Sequence, residues 1–166
     1  MPRQGFVQMT VGGLTLDPVT KTPIVVLKDE AESINLPIWI GLLEATSMAT
    51  ELEGIKMARP MTHDLLKNII DDLSAQVERI VVTELKENTF YALIHLRKNG
   101  HSIEVDARPS DAIALALRTR SPIFVEEAVI QNARSVENSR ESSMDVTRLQ
   151  KWLEGLSEDE LGKYKM

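Results

Sequence analysis

Three polar strings carry the side chains in this chain that could do chemistry, and each is expected at the start of a helix, where backbone N–H groups and side chains converge. The first pairs Gly41 with Glu44. The second is Arg59-Pro60-Met61-Thr62-His63-Asp64, and the third is Asp106-Ala107-Arg108-Pro109-Ser110-Asp111. Carboxylates hold hard divalent cations, arginine grips a phosphate with two parallel N–H groups, and histidine moves a proton near neutral pH. Together these are the parts of a metal-assisted phosphodiester hydrolase. On that reading Glu44, Asp64 and Asp106 are ligands for Mg²⁺ or Mn²⁺, Arg59 and Arg108 are substrate anchors, and His63, Glu44 and Asp111 are the groups of acid–base catalysis. Each string also has a structural reading. The helix dipole alone favours Glu44 and Asp64 in a first turn, and an Arg–Asp pair formed by Arg108 with Asp106 or Asp111 would fix a strand-to-helix turn. Arg108 lies just ahead of a helix N-terminus, where helix electrostatics disfavours a cation, so an anion is the natural reason for it. His63 and Asp64, adjacent on a helix, point about 100° apart and are not expected to touch. His95 and His101 read as ordinary strand residues, and Trp39, Phe90 and Tyr91 as core or sheet-face residues.

The elements that must position these groups follow from hydrophobic period and turn chemistry. Residues 6–11, 24–28 and 34–40 are rich in β-branched and aromatic residues and read as strands. Gly12-Gly13 reads as a bend or bulge within one long strand, Asp17-Pro18-Val19-Thr20 as a type I turn closing a hairpin, and Pro37 places its strand at an edge or makes it irregular. From residue 42 the apolar positions recur at helical spacing through Leu42, Leu43, Ala45, Met48, Ala49 and Leu52, and Gly54 ends that helix. A second helix is expected with Thr62 as N-cap and Leu65, Leu66, Ile69, Ile70 and Leu73 on one face. A meander follows over 77–85, 89–96 and 101–107, joined through Glu87-Asn88 and Lys98-Asn99-Gly100. Pro109 then opens a helix apolar almost all round until Arg118, which calls for burial on most sides. A short strand at 122–125 and a further helix from 126 complete an α+β fold with a mixed or antiparallel sheet, three to four core helices and a C-terminal helical tail. Residues 1–133 are expected as the domain, 134–145 as a polar linker, and 146–166 as the tail, which has Leu149, Trp152, Leu153 and Leu156 to dock on a protein partner or on its own domain.

Composition narrows the function. The chain has 166 residues, 43% apolar and 27% charged, which suits one domain able to bury a core without staples. It has no cysteine, so thiol catalysis, zinc ribbons and disulfide scaffolds are excluded. No apolar run approaches the roughly 20 residues that cross a bilayer, and a cytoplasmic protein is expected. A net charge of −6 requires any nucleic-acid surface to be a local basic patch. Serine-hydrolase elbows, phosphate-binding glycine loops, dinucleotide fingerprints and zinc-protease motifs are all missing.

At these same strings the chain resembles the bifunctional nuclease domain family. The matching segments are Gly13-Leu14-Thr15-Leu16-Asp17, Pro23-Ile24-Val25-Val26-Leu27-Lys28, Leu36-Pro37-Ile38-Trp39-Ile40-Gly41, Glu44-Ala45, Arg59-Pro60-Met61-Thr62-His63-Asp64-Leu65, Thr89-Phe90-Tyr91-Ala92, and Val105-Asp106-Ala107-Arg108-Pro109-Ser110-Asp111-Ala112-Ile113-Ala114-Leu115-Ala116. The resemblance implies an α+β domain that forms homo-oligomers and a nuclease acting on both DNA and RNA, as plant members are described. It also implies a departure, since the tail does not look like the UVR-type helical motif that some members carry. Two other readings stand beside the nuclease: a non-enzymatic homo-oligomeric binding or regulatory module, and an enzyme acting on small phosphorylated metabolites.

Overall fold

Gly12-Gly13 interrupts the first strand without ending it. In the computed structural model, which describes residues 5–143 and the side chains of residues 5–135, strand β1 (Phe6–Leu16) pairs antiparallel with β2 (Pro23–Asp29). The register slips between Val11 and Gly13, leaving Gly12 as the extra residue of a bulge. The expected hairpin therefore forms, but its turn is wider than a type I turn. Asp17 Oδ1 accepts from the N–H groups of Val19 and Thr20, and Lys21 adopts a φ of 60°. Strand β3 (Asn35–Trp39) takes the edge beside β2, where Pro37 lacks an N–H to donate to a further strand.

The second half of the sheet is the meander β4 (Gln76–Lys86), β5 (Thr89–Lys98) and β6 (His101–Ala107). Glu87-Asn88 and Asn99-Gly100 all have positive φ, the conformation that a two-residue hairpin turn needs to match strand twist. Strand β7 (Ile123–Glu126) joins the halves, antiparallel to β1 and parallel to β4, in a seven-stranded mixed sheet of order β3-β2-β1-β7-β4-β5-β6.

Helices α1 (Leu42–Leu52) and α2 (Thr62–Asp72) pack on α3 (Pro109–Thr119), which in turn packs on β4 and β5. Helix α3 has the burial its sequence demands: Ala112 to Ala116 are 0–2% exposed and meet the sheet-facing Val25, Leu27, Ile80, Val82 and Val125. Its alanines leave short side chains on the faces that neighbouring helices approach, so polar groups on α1, α2 and α3 reach one another across those contacts.

Two expectations change here. The N-cap of α2 is Met61, with Thr62 already helical, because Asp64 Oδ2 accepts the Met61 N–H from the third helical position at 3.0 Å and supplies the cap from inside the helix. The apolar residues of α2 do not share one buried face. His63 and Ile70 are buried and Leu66 partly so, while Leu65, Ile69 and Leu73 lie outward and are about half exposed. The spacing of four residues makes these a second strip rather than part of the first.

Helix α4 (Glu127–Ser143) buries Val129 and Ile130 and extends as far as Ser143, into the stretch expected as a linker. Glu and Arg are good helix formers and Ser and Asn cost at most about 0.7 kcal/mol each, so a composition too polar for a core is still compatible with a helix. The tail expected at 146–166 lies outside the described residues. Among the described residues no helix is long and apolar enough to cross a membrane.

Candidate active site

Glu44 enters the first turn of α1 from a glycine that leaves it room. The N-cap Gly41 is extended at φ −75°, and a Cβ there would collide with the Glu44 carboxylate. Folded back this way, Glu44 Oε1 accepts from Arg108 Nη2 at 2.8 Å, joining the N-terminal ends of α1 and α3. Arg108 Nε donates to Asp111 Oδ2 at 2.9 Å, one turn into α3. Asp111 Oδ1 lies 2.9 Å from His63 Nε2, and His63 Nδ1 lies 2.7 Å from Ser47 Oγ on α1. A continuous chain Glu44–Arg108–Asp111–His63–Ser47 thus crosses three helices.

Its electrostatics follow from the contacts. Burial alone would raise the Asp111 carboxyl, but hydrogen bonds from Arg108 and His63 outweigh it and hold the group below the ordinary carboxylate value. Hydrogen bonds from Arg108 to Asp111 and Glu44 push the guanidinium still further toward its charged form. The His63 side chain is 10% exposed while Arg108 is 65% exposed, so the imidazole is held in place and the guanidinium reaches solvent, its Nη1 without a hydrogen bond among the described residues.

Behind this chain lies a second pair. Arg118, with a side chain 4% exposed, donates through Nε to Asp64 Oδ1 at 2.7 Å, through Nη1 to the Ala114 carbonyl at 3.0 Å and through Nη2 to the Ser47 carbonyl at 3.1 Å. The Arg118 hydrogen bond, followed by the Met61 N–H, holds the Asp64 carboxyl below the usual range.

Ser47, His63, Asp111, Glu44 and Arg108 line one cleft of about 370 Å³, walled on its apolar side by Leu43, Met57 and Met61. Arg108 also borders an adjoining cleft of about 450 Å³ that contains Trp39, Gly41 and Phe90. Trp39 is a sheet-face residue, as expected, yet it is 44% exposed.

Of the side chains singled out from sequence, Glu44, His63, Arg108 and Asp111 come together. Asp64 is adjacent but turned to Arg118. Arg59 stands exposed on the α1–α2 connection, outside the cleft, with no hydrogen bond or ion pair among the described residues. Asp106 falls on the opposite sheet face, because β6 alternates and its neighbour Ala107 faces the core beside Ala92. His101 is exposed at the sheet edge, and His95 is buried 3.8 Å from Glu104 on that same far face.

The four acids singled out for cation binding or acid–base work do not all stand together in this structure. Both oxygens of Asp64 and of Asp111 already accept hydrogen bonds, Glu44 is paired with Arg108, and Asp106 is across the sheet. Among the described residues no three His, Asp or Glu side chains cluster as cation ligands.

Ser47 and Arg118 were not singled out. Ser47 stands three residues after Glu44 and Arg118 seven after Asp111, so each shares a helix face with a residue that was. That spacing was the available signal.

A family model described as bifunctional nuclease domain matches residues 25–138. An uncharacterised protein of Mycobacterium tuberculosis is 36% identical over 160 residues, covering 95% of this chain and 90% of its own. Bifunctional nuclease 2 of Oryza sativa subsp. japonica is 30% identical over 125 residues, covering 71% of this chain and 38% of its own. Bifunctional nuclease 1 of Arabidopsis thaliana is 28% identical over 127 residues, covering 73% of this chain and 39% of its own. The chain therefore spans about two-fifths of the length of these plant relatives.

Proposed function

The chain belongs to the bifunctional nuclease domain family, and from that premise we propose that it hydrolyses phosphodiesters of DNA and RNA with little sequence preference, in the cytoplasm, at the cleft between α1, α2 and α3. The observation that carries this reading is the pairing of an exposed guanidinium, Arg108, with a buried, carboxylate-oriented imidazole, His63, along one wall of that cleft. Arg108 is pinned at Nε and Nη2 by Asp111 and Glu44, and its open Nη1 edge is the anchor for a non-bridging phosphate oxygen. His63, fixed by Asp111, transfers the proton. An extended strand passing over Arg108 would set one base against Trp39 in the adjoining cleft, and stacking of that kind tolerates any sequence.

The test uses the full chain, purified free of host nucleases, on single- and double-stranded DNA and RNA with Mg²⁺, Mn²⁺ or EDTA. Arg108→Ala is expected to lower kcat/KM about 10²-fold, in keeping with loss of one charge-stabilising donor. Equal activity in wild type and Arg108→Ala would sink the assignment. Cleavage abolished by EDTA and restored by Mn²⁺ would show that a divalent cation takes part.

One observation favours the homo-oligomeric module as a second reading, compatible with the first. Leu65 and Ile69 on α2 and Leu73 at its C-cap form an apolar strip about half exposed, and Leu43, Met57 and Met61 on the cleft wall are exposed as well. We propose that a second copy of this chain covers the α2 strip. Sedimentation velocity should show an oligomer, and Leu65→Glu with Ile69→Glu should shift it to monomer at the same concentration. A wild-type monomer at about 100 μM would overturn this interface.

A further inference from the structure

Three side-chain hydroxyls on α1 behave differently. Thr46 and Thr50 donate to the carbonyls four residues back, Leu42 and Thr46, at 2.8 and 2.7 Å, the ordinary habit of a hydroxyl within a helix. Ser47, between them, leaves that habit, and its Oγ lies 2.7 Å from His63 Nδ1 at the cleft wall. The far nitrogen of the same ring is 2.9 Å from Asp111 Oδ1. A carboxylate can only accept, so in the neutral ring Nε2 carries the proton, Nδ1 offers its lone pair, and the Ser47 hydroxyl donates into it.

Both ring nitrogens of His63 are thereby engaged by protein groups. A water molecule could be activated by this imidazole only by displacing Ser47 or Asp111. The proton His63 is placed to remove is that of Ser47. Nucleophile, base and orienting carboxylate stand in the relation by which acyl-transfer triads are recognised, which is one of geometry and role rather than of motif or chain order. The absence of a Gly-x-Ser-x-Gly elbow fits a serine presented from the middle of a helix.

We propose that Ser47 is the nucleophile of this cleft, attacking phosphorus to form a phosphoserine-linked intermediate; this rests on the phosphodiester reading above. Oγ bonds to phosphorus, its proton passes to His63 Nδ1, and the bond from phosphorus to one nucleoside oxygen breaks as that oxygen takes the proton from Nδ1. The remaining nucleoside stays joined to Ser47 through the phosphate. Water then attacks phosphorus and gives a proton to Nδ1, the bond to Oγ breaks, and Ser47 recovers its proton. The sum is a diester plus water giving a monoester plus an alcohol, with no external oxidant, reductant or co-reactant. Arg108 Nη1 faces the non-bridging oxygens throughout. Because the protein supplies the nucleophile, the ribose 2′-hydroxyl has no part in the chemistry, and the step does not distinguish DNA from RNA.

The decisive probe is an alkyl fluorophosphonate, whose phosphorus is attacked by an activated serine with loss of fluoride. The folded full chain should be labelled once, at Ser47, as located by peptide mass spectrometry. Labelling should disappear in Ser47→Ala and slow at least about 10-fold in His63→Gln and in Asp111→Asn, with circular dichroism confirming that each variant is folded. No label on Ser47 in folded wild type, or labelling that does not depend on His63, would overturn the proposal. Nucleic-acid cleavage by Ser47→Ala within a few-fold of wild type would also overturn it while leaving the hydrolase reading intact. His63-dependent labelling of Ser47 in a chain that cleaves neither DNA nor RNA would support the activated serine and sink the nuclease.

Discussion

His63→Gln is expected to lower phosphodiester cleavage by about 10²- to 10⁴-fold, the range that a positioned general base contributes, with little loss of folded structure. Among the described residues the imidazole is the only group within hydrogen-bonding distance of both Ser47 and Asp111, and it is buried between α1, α2 and α3. Gln fills most of the space and can still hydrogen-bond, so packing survives, but an amide takes no proton at neutral pH. The two effects separate in measurement. Single-turnover cleavage should fall by orders of magnitude, while the melting temperature should move by only a few degrees. A variant that cuts like wild type would remove His63 from the chemistry and leave the network as a helix clamp.

Arg118→Met is expected to be the most damaging change to stability at this site, at about 2–3 kcal/mol. Breaking one half of a buried ion pair costs about 3–5 kcal/mol, and the part exposure of Asp64 reduces that figure by letting water solvate the stranded carboxylate. Two backbone acceptors, on Ser47 and Ala114, also lose their donor. For a domain of this size the loss corresponds to a fall in Tm of about 5–10 °C. The pair also has a pH signature. Asp64 has its carboxyl lowered in the folded protein from the reference value of 3.8, so the unfolded chain binds a proton more readily in that range. The stabilisation is complete above that value and is lost as pH falls through the lower folded value. Wild type and Arg118→Met should accordingly differ most near neutral pH and converge below about pH 4. Urea melts at pH 7 and pH 3 check this, and a difference under 0.5 kcal/mol at pH 7 would show that the helices are held by apolar packing alone.

Much of the fold was legible because its determinants are local. The Asn99-Gly100 turn, the Gly12 bulge, the edge position of Pro37 and the buried helix opened by Pro109 each rest on constraints acting within a few residues, so residue type and spacing are enough to read them. The hairpin at Asp17 shows the limit of such reading. Pairing was predictable, but the width of the loop followed from hydrogen bonds that Asp17 makes to Val19, Thr20 and Trp39.

The candidate site was legible only in part. Sequence placed Glu44, His63, Arg108 and Asp111 at helix starts, and those starts do converge. It placed Asp106 in the same string as Arg108, yet one step along a strand turns a side chain to the other face of a sheet, and the strand ends between them. It left Ser47 and Arg118 among ordinary helix residues, since a helix face acquires its partners only when another helix is laid against it. Types, turns and periods along the chain therefore decided which elements form and which ends carry charge. The rotation of α2, with His63 inward and Leu65 outward, and the reach of Arg118 across to Asp64 and Ser47 were decided by packing three helices on one sheet, because distances between residues far apart in sequence are set by shared burial rather than by local preference.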